Sequence, residues 1–190
     1  MKNIESIPGE LRCCILLSDI HKSGEQYKTA AELALSEAVD YWGQSYVPEE
    51  PVRVNITANY ARSDIAVRVE LSCGFRVPCS RCLEETRLAI NGDMRYLFTM
   101  RRLPRAEEER AGGEEDGYID AIEMEKFQAE LDLSPYIWET LILNLPERVL
   151  CREECKGLCP ICGCSKNARE CGCMTDETDP RLGALKNFLW

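Results

Sequence analysis

Four close cysteine pairs constrain this chain more than any other feature of its sequence. Cys79 and Cys82 form C-x2-C, Cys151 and Cys155 form C-x3-C, Cys159 and Cys162 form a second C-x2-C, and Cys171 and Cys173 form C-x-C. Two thiolates two residues apart in a turn can point into one tetrahedral site at about 2.3 Å from zinc, so four pairs supply two four-thiolate sites. Gly157, Pro160, Gly163 and Gly172 are the turn-forming residues that a metal-wrapped loop uses. Four pairs allow three ways of sharing two ions. The preferred one joins Cys79 and Cys82 to Cys151 and Cys155, and leaves Cys159, Cys162, Cys171 and Cys173 to close over fifteen residues as a ribbon-like knuckle. Both sites would be filled by protein ligands, which points to structural zinc, two ions in all, with no open position for water.

Other uses of the thiols are weighed against this one. Cys79-Ser80-Arg81-Cys82 has the spacing of a thioredoxin-like redox pair, but it joins two strand patterns instead of opening a helix. Twelve cysteines against a single histidine, His21, in a chain with no signal-peptide pattern argue for metal over a disulfide framework. An iron–sulfur cluster is compatible with the spacing. Cys73 falls on the apolar face of a strand, Cys13 and Cys14 read as small buried apolar residues, and Cys164 competes with Cys162 as a ligand. His21 stands in a polar stretch and reads as a surface or loop residue.

The 190 residues fit one domain of residues 1–150 with a cysteine-rich segment of residues 151–190 packed on it. From Val52, apolar and polar residues alternate to Tyr60. After the Ala61–Asp64 turn, Ile65, Val67, Val69, Leu71, Cys73, Phe75 and Val77 alternate with polar or small residues, which predicts a long half-buried strand in a hairpin. A third strand is expected within Thr86–Met100, where Asn91-Gly92 marks a bulge or a tight turn. Leu11–Leu17 reads as a short strand, and Ala30–Val39 has helix-forming composition without excluding a strand. Asp132 and Ser134 are N-cap candidates, Pro135 suits the first helical position, and Ile137, Leu141 and Leu145 share a face until Pro146. The expected fold is α+β: an antiparallel sheet, open or barrel-like, covered by one main helix, with a zinc-binding C-terminal segment.

The net charge of −10 is unevenly spread. Residues 106–132 hold eleven acids against Arg110 and Lys126, and residues 103–117 read as an acidic solvated connector. Residues 79–105 hold six arginines against three acids. The longest aliphatic or thiol run is five residues, Cys13–Leu17, far short of the roughly 20 that a membrane span needs, so a cytoplasmic address is expected. There is no G-x-S-x-G, P-loop, dinucleotide fingerprint or histidine base beside a nucleophile, so neither an enzyme nor a small-molecule substrate is expected.

The motifs Val77-Pro78-Cys79-Ser80-Arg81-Cys82-Leu83-Glu84 and Cys155-Lys156-Gly157-Leu158-Cys159-Pro160-Ile161-Cys162-Gly163 stand out together. With Ile119-Asp120, Leu143-Asn144-Leu145-Pro146, Cys171-Gly172-Cys173 and the tail Asp179-Pro180-Arg181-Leu182, they resemble the YceD-like family of large ribosomal RNA subunit accumulation proteins. The resemblance runs from about residue 50 onward. It implies a non-enzymatic bacterial factor for 23S rRNA accumulation and large-subunit biogenesis, with that RNA or a pre-50S particle as partner. Where relatives usually carry Cys-Gly-x-Asn-Leu-Asn, this chain has Cys162-Gly163-Cys164-Ser165-Lys166-Asn167. Arg81, Lys156, Lys166, Arg169 and Arg181, near the expected metal sites, are candidate RNA contacts, and Arg76, Arg87, Arg95, Arg101, Arg102, Arg105 and Lys186 add to the basic set. Each four-thiolate zinc adds about −2 and opposes them. Two other readings remain: an acidic chaperone that holds a basic ribosomal protein on residues 106–132 without touching RNA, and a C-x2-C thiol-redox protein.

Overall fold

The computed structural model describes residues 7–20, 25–100, 120–126 and 128–173. Its centre is a hairpin of two fifteen-residue strands, β6 (Asp64–Pro78) and β7 (Glu85–Thr99), paired in one continuous antiparallel register from Ile65↔Phe98 to Pro78↔Glu85. The other edge of β6 is shared. Residues 64–72 pair with β5 (Val52–Ala61), while Phe75 and Arg76 pair with the end of β4 (Gln44–Pro48). Beyond β5 lies β2 (Tyr27–Leu33), and beyond β4 lies β3 (Val39–Tyr41). The far edge of β7 takes β8 (Asp120–Glu123) in parallel. β1 (Cys14–Leu16) and β9 (Glu130–Asp132) form a separate two-stranded ribbon.

The alternation read from Val52 to Val77 survives in detail. Val52, Val54, Ile56 and Ala58 face the core with Ile65, Val67, Val69, Leu71, Cys73, Phe75 and Val77. The opposite face carries Arg53, Asn55, Thr57, Arg68, Glu70 and Ser72. α1 (Ser134–Leu143) lies against the apolar face of β6 and β7, with Ile137 and Leu141 fully buried and Trp138 and Ile142 nearly so. Leu145, expected on the helix face, is buried just past its end.

Several expectations change. The sheet is mixed and not closed: among the described residues β8 pairs only with β7 and β2 only with β5, so no hydrogen bonds join its two ends into a barrel. Within Ala30–Val39 no helix forms. Pairing with β5 makes a strand of its first part, because tertiary partners outweigh a weak local propensity. The Leu11–Leu17 strand shrinks to Cys14–Leu16 between two short 3-10 turns, and Cys14 is exposed. At the start of α1 the cap position is Leu133, which moves Pro135 one residue further in, still within the first turn where its missing N–H is harmless. Asp132 Oδ1 accepts hydrogen bonds from the Ser134 N–H at 2.9 Å and the Ser134 hydroxyl at 2.5 Å. The acidic connector 103–117 and His21 lie outside the described residues. No helix of the described residues is long and apolar enough to cross a membrane.

Asn91-Gly92 is neither bulge nor turn; the ladder runs straight through it. Gly92 serves the helix instead. A Cβ there would lie 2.8 Å from Thr140 Cγ2 and 2.9 Å from Asn144 Nδ2, both on or just after α1, so the absent side chain sets how closely the helix approaches the sheet. Gly92→Ala should therefore lower stability by roughly 1–3 kcal/mol, the range for overpacking. Urea unfolding of the two proteins measures this, and an unchanged midpoint would mean that the helix does not rest on the strand here.

Candidate metal centres

The turn between β6 and β7 holds the first cysteine pair. The Cys79 N–H donates to the Glu84 carbonyl at 2.9 Å and the Leu83 N–H donates back to the Cys79 carbonyl at 2.9 Å. The same knot occurs eighty residues later: Cys159 N–H to the Cys164 carbonyl at 2.8 Å, and Gly163 N–H to the Cys159 carbonyl at 2.8 Å. Each knot needs a left-handed residue after its second cysteine. Gly163 supplies it at φ +71°, and Leu83 at +61°, where a side chain is strained. In both, N–H groups converge on the first sulfur. Burial raises the Cys79 thiol, but the N–H groups of Arg81, Cys151 and Cys82 outweigh it and hold its pKa down to about 6. The N–H groups of Cys162 and Ile161 bring Cys159 to about 6 in the same way.

Two groups of four sulfurs result, each with all its sulfurs within 4.8 Å of one another: Cys79, Cys82, Cys151 and Cys155 in one, Cys159, Cys162, Cys171 and Cys173 in the other. In the first, Cys79 Sγ lies 3.7 Å from Cys155 Sγ and Cys82 Sγ lies 3.5 Å from Cys151 Sγ. A tetrahedron with metal–sulfur bonds of about 2.3 Å has sulfurs about 3.8 Å apart, whereas a disulfide bond is about 2.05 Å. None of the twelve cysteines is in a disulfide. The donor set is therefore shaped for a four-coordinate soft cation such as zinc. Without one, four sulfurs crowd unfavourably: burial and the thiols of Cys82, Cys155 and Cys79 push Cys151 up to about 12.

The chain holds the first group together with bonds the sequence did not announce. Ser80 donates from its N–H at 2.8 Å and its hydroxyl at 2.9 Å to the Val149 carbonyl. Gln44 Nε2 donates to the Glu147 carbonyl at 2.9 Å, and the Tyr46 hydroxyl to the Pro146 carbonyl. Two side chains of the sheet and one of the β6–β7 turn thus fix the backbone that delivers Cys151 and Cys155. The Arg81 guanidinium donates to the Cys155 carbonyl at 2.8 Å, and its own carbonyl accepts from the Leu158 N–H at 3.2 Å. Gly157, at φ +74°, permits that approach, since a Cβ there would lie 3.1 Å from the Arg81 oxygen. Asn167 Nδ2 donates to Cys155 Sγ at 3.2 Å while its oxygen accepts from the Lys156 N–H at 2.8 Å, and this contact is the main reason the Cys155 thiol is lowered. Asn167 stands at the last position of the Cys-Gly-x-Asn-Leu-Asn pattern of the resembled family, which is the sequence signal that marks it.

Cys164 is not in the second group. It lies beside it: its thiol is pushed up to about 11 by Cys162, then by burial and by Cys171. Cys73 is buried in the core, where burial raises its pKa to about 12.

The candidate RNA contacts are placed as follows. Arg81, Lys156 and Arg169 are exposed and Lys166 half-buried around the two groups, while Arg181 lies outside the described residues. Of the wider set, Arg76 is bound by Glu49 at 2.7 Å and Arg87 by the same carboxylate at 3.4 Å. Arg101, Arg102, Arg105 and Lys186 also lie outside the described residues.

The family model described as "Large ribosomal RNA subunit accumulation protein YceD" matches residues 67–189. Uncharacterized proteins of Mycobacterium bovis and Mycobacterium tuberculosis are 31% identical over 111 residues, which are 58% of this chain and 49% of theirs. One of Mycobacterium leprae is 25% identical over 163 residues, 84% of this chain and 66% of its own. This chain spans about half the length of the first two relatives. No solved structure matches.

If the first sulfur group holds an ion, Cys79→Ser removes one metal equivalent by elemental analysis, because a closed four-ligand site tolerates no gap. Unchanged metal content would refute it. Leu83→Gly relieves about 1–2 kcal/mol of left-handed strain against about 0.5–1 kcal/mol of added chain entropy, so the metal-loaded variant should melt slightly higher than the parent, by up to about 1 kcal/mol.

Proposed function

The chain belongs to the YceD family of large ribosomal RNA subunit accumulation proteins, and from that membership we propose that it serves large-subunit biogenesis by gripping 23S rRNA, free or in a pre-50S particle, with the cysteine-bound end of the molecule. Two zinc ions hold that end rigid, through Cys79, Cys82, Cys151 and Cys155 and through Cys159, Cys162, Cys171 and Cys173. The family is named for a process and not for a reaction, and the work proposed for this chain is binding.

One observation carries the reading: where the arginines are spent. On the open sheet face Arg53 meets Glu32 at 3.4 Å, Arg68 meets Asp93 at 2.6 Å and Glu70 at 3.2 Å, and Arg76 and Arg87 share Glu49. At the cysteine end Arg81, Lys156, Lys166 and Arg169 have no carboxylate partner among the described residues. Cations without internal carboxylates, on turns that the metals hold still, meet phosphates at little ordering cost, and the bond from Arg81 to the Cys155 carbonyl fixes its guanidinium there. The four-thiolate centres add about −2 each, which keeps the affinity modest and strongly salt-dependent. The second reading rests on the eleven acids of residues 106–132, which would hold a basic ribosomal protein.

Zinc-loaded protein should bind 23S fragments at low salt. Replacing Lys156, Lys166 and Arg169 with alanine should then flatten the slope of log K against log salt by roughly 0.7 per lost contact. Undetectable binding at low salt would sink direct RNA contact. In that event a basic ribosomal protein that co-purifies, and is lost on deleting residues 106–117, would establish the second reading.

A further inference from the structure

We propose that Cys164 is a fifth ligand thiol of the C-terminal cysteine group, interchangeable with Cys162, and that this group is an exchangeable zinc site while the group at the β6–β7 turn keeps its ion. The inference rests on reading both groups as metal centres. Within Cys159–Cys173 there are five thiols, one more than a four-ligand site needs, arranged as Cys159, Cys162-Gly163-Cys164 and Cys171-Gly172-Cys173. Cys164 borders Cys162 and Cys171, its N–H already points at the Cys162 sulfur, and its carbonyl closes the turn on Cys159.

The two groups differ in what surrounds them. At the β6–β7 turn, Cys79, Cys82 and Cys155 are buried with Leu150 and Leu158 packed on them, and their sulfurs come from segments about seventy residues apart. Release of that ion requires undocking the chain after α1 from the sheet. The C-terminal group is less covered among the described residues: Cys159 is buried, but Cys162 is exposed, Cys164, Cys171 and Cys173 are half-buried, and every ligand lies within one short loop. A Cβ on Gly163 or Gly172 would meet nothing within 4 Å, so among the described residues nothing packs over the glycine of either C-G-C turn. Gly157 at the buried group has the Arg81 backbone in that place.

The exchange balances without a redox partner. As the Cys164 sulfur bonds the cation, its proton passes to solvent. As the Cys162 sulfur leaves, it takes a proton up, so charge and zinc count are unchanged. The ion stays held while one ligand is loose, which is when an outside acceptor can enter.

The test uses the full-length zinc-loaded protein, elemental analysis, and zinc transfer to the chromophoric chelator 4-(2-pyridylazo)resorcinol. The parent should hold two ions and release one at least about tenfold faster than the other. C162S should still hold two, the double variant C162S with C164S only one, and C159S only one, while C164S alone slows the fast phase. One ion in C162S would overturn the interchange, and a single release rate in the parent, or an unslowed C164S, would overturn the lability. A parent that binds fewer than two ions would instead refute the metal reading itself.

Discussion

Four sulfurs meeting below the tip of the β6–β7 hairpin are the contact on which the remaining architecture rests. They join the far end of the two longest strands to the chain that follows α1, across a sequence separation of 69 residues between Cys82 and Cys151. That following chain has few apolar anchors of its own. Leu145 and Val149 are buried, but among the described residues from 150 onward the buried apolar side chains are cysteines. Structural zinc in small domains contributes about 10–16 kcal/mol of apparent binding energy, comparable to the roughly 5–15 kcal/mol by which a whole domain is stable. The hydrogen bonds from Gln44, Tyr46 and Ser80 aim the backbone, and a cation would hold it.

The molecule separates two kinds of polar surface. The open face of the sheet satisfies itself: the guanidinium of Arg68 is clamped by both oxygens of Asp93 at 2.8 and 2.6 Å, and Glu49 binds Arg76 and Arg87 across the upper strands. Cross-strand pairs of this kind stabilise by a few tenths of a kcal/mol each and leave little charge for a partner. At the other end Arg81, Lys156, Lys166 and Arg169 have no carboxylate partner among the described residues. A ligand that discriminates between the two surfaces is therefore sorted by charge geometry, not by total charge.

Much of this was legible in the residues, for physical reasons. A period of two over Val52–Val77 has one solution when one face is buried, and the strands follow it except beside the hairpin turn, where Asp64 and Ala66 are buried as well. Cysteine doublets state their own geometry, and the preferred pairing is the one in which the sulfurs meet. What was misread involves partners distant in sequence. Asn91-Gly92 looks like a turn until Thr140 and Asn144 occupy the space above it. Ala30–Val39 looks helical until β5 offers it an edge. Gln44 and Tyr46 act through backbone carbonyls supplied from elsewhere in the chain, a role that leaves no local pattern.

The long separation within the first sulfur group also bears on biosynthesis. A chain leaves the ribosome from its amino end, so Cys79 and Cys82 emerge while Cys151 is still untranslated. At roughly 5–20 residues per second the interval is about 3–14 s. Throughout it the nascent sheet presents a two-thiolate half-chelate at its tip, open to solvent and to any thiophilic ion or oxidant nearby. Completion of the fold is timed by translation of a distant segment, so a pause downstream of codon 82 prolongs the period in which the protein is chemically most vulnerable.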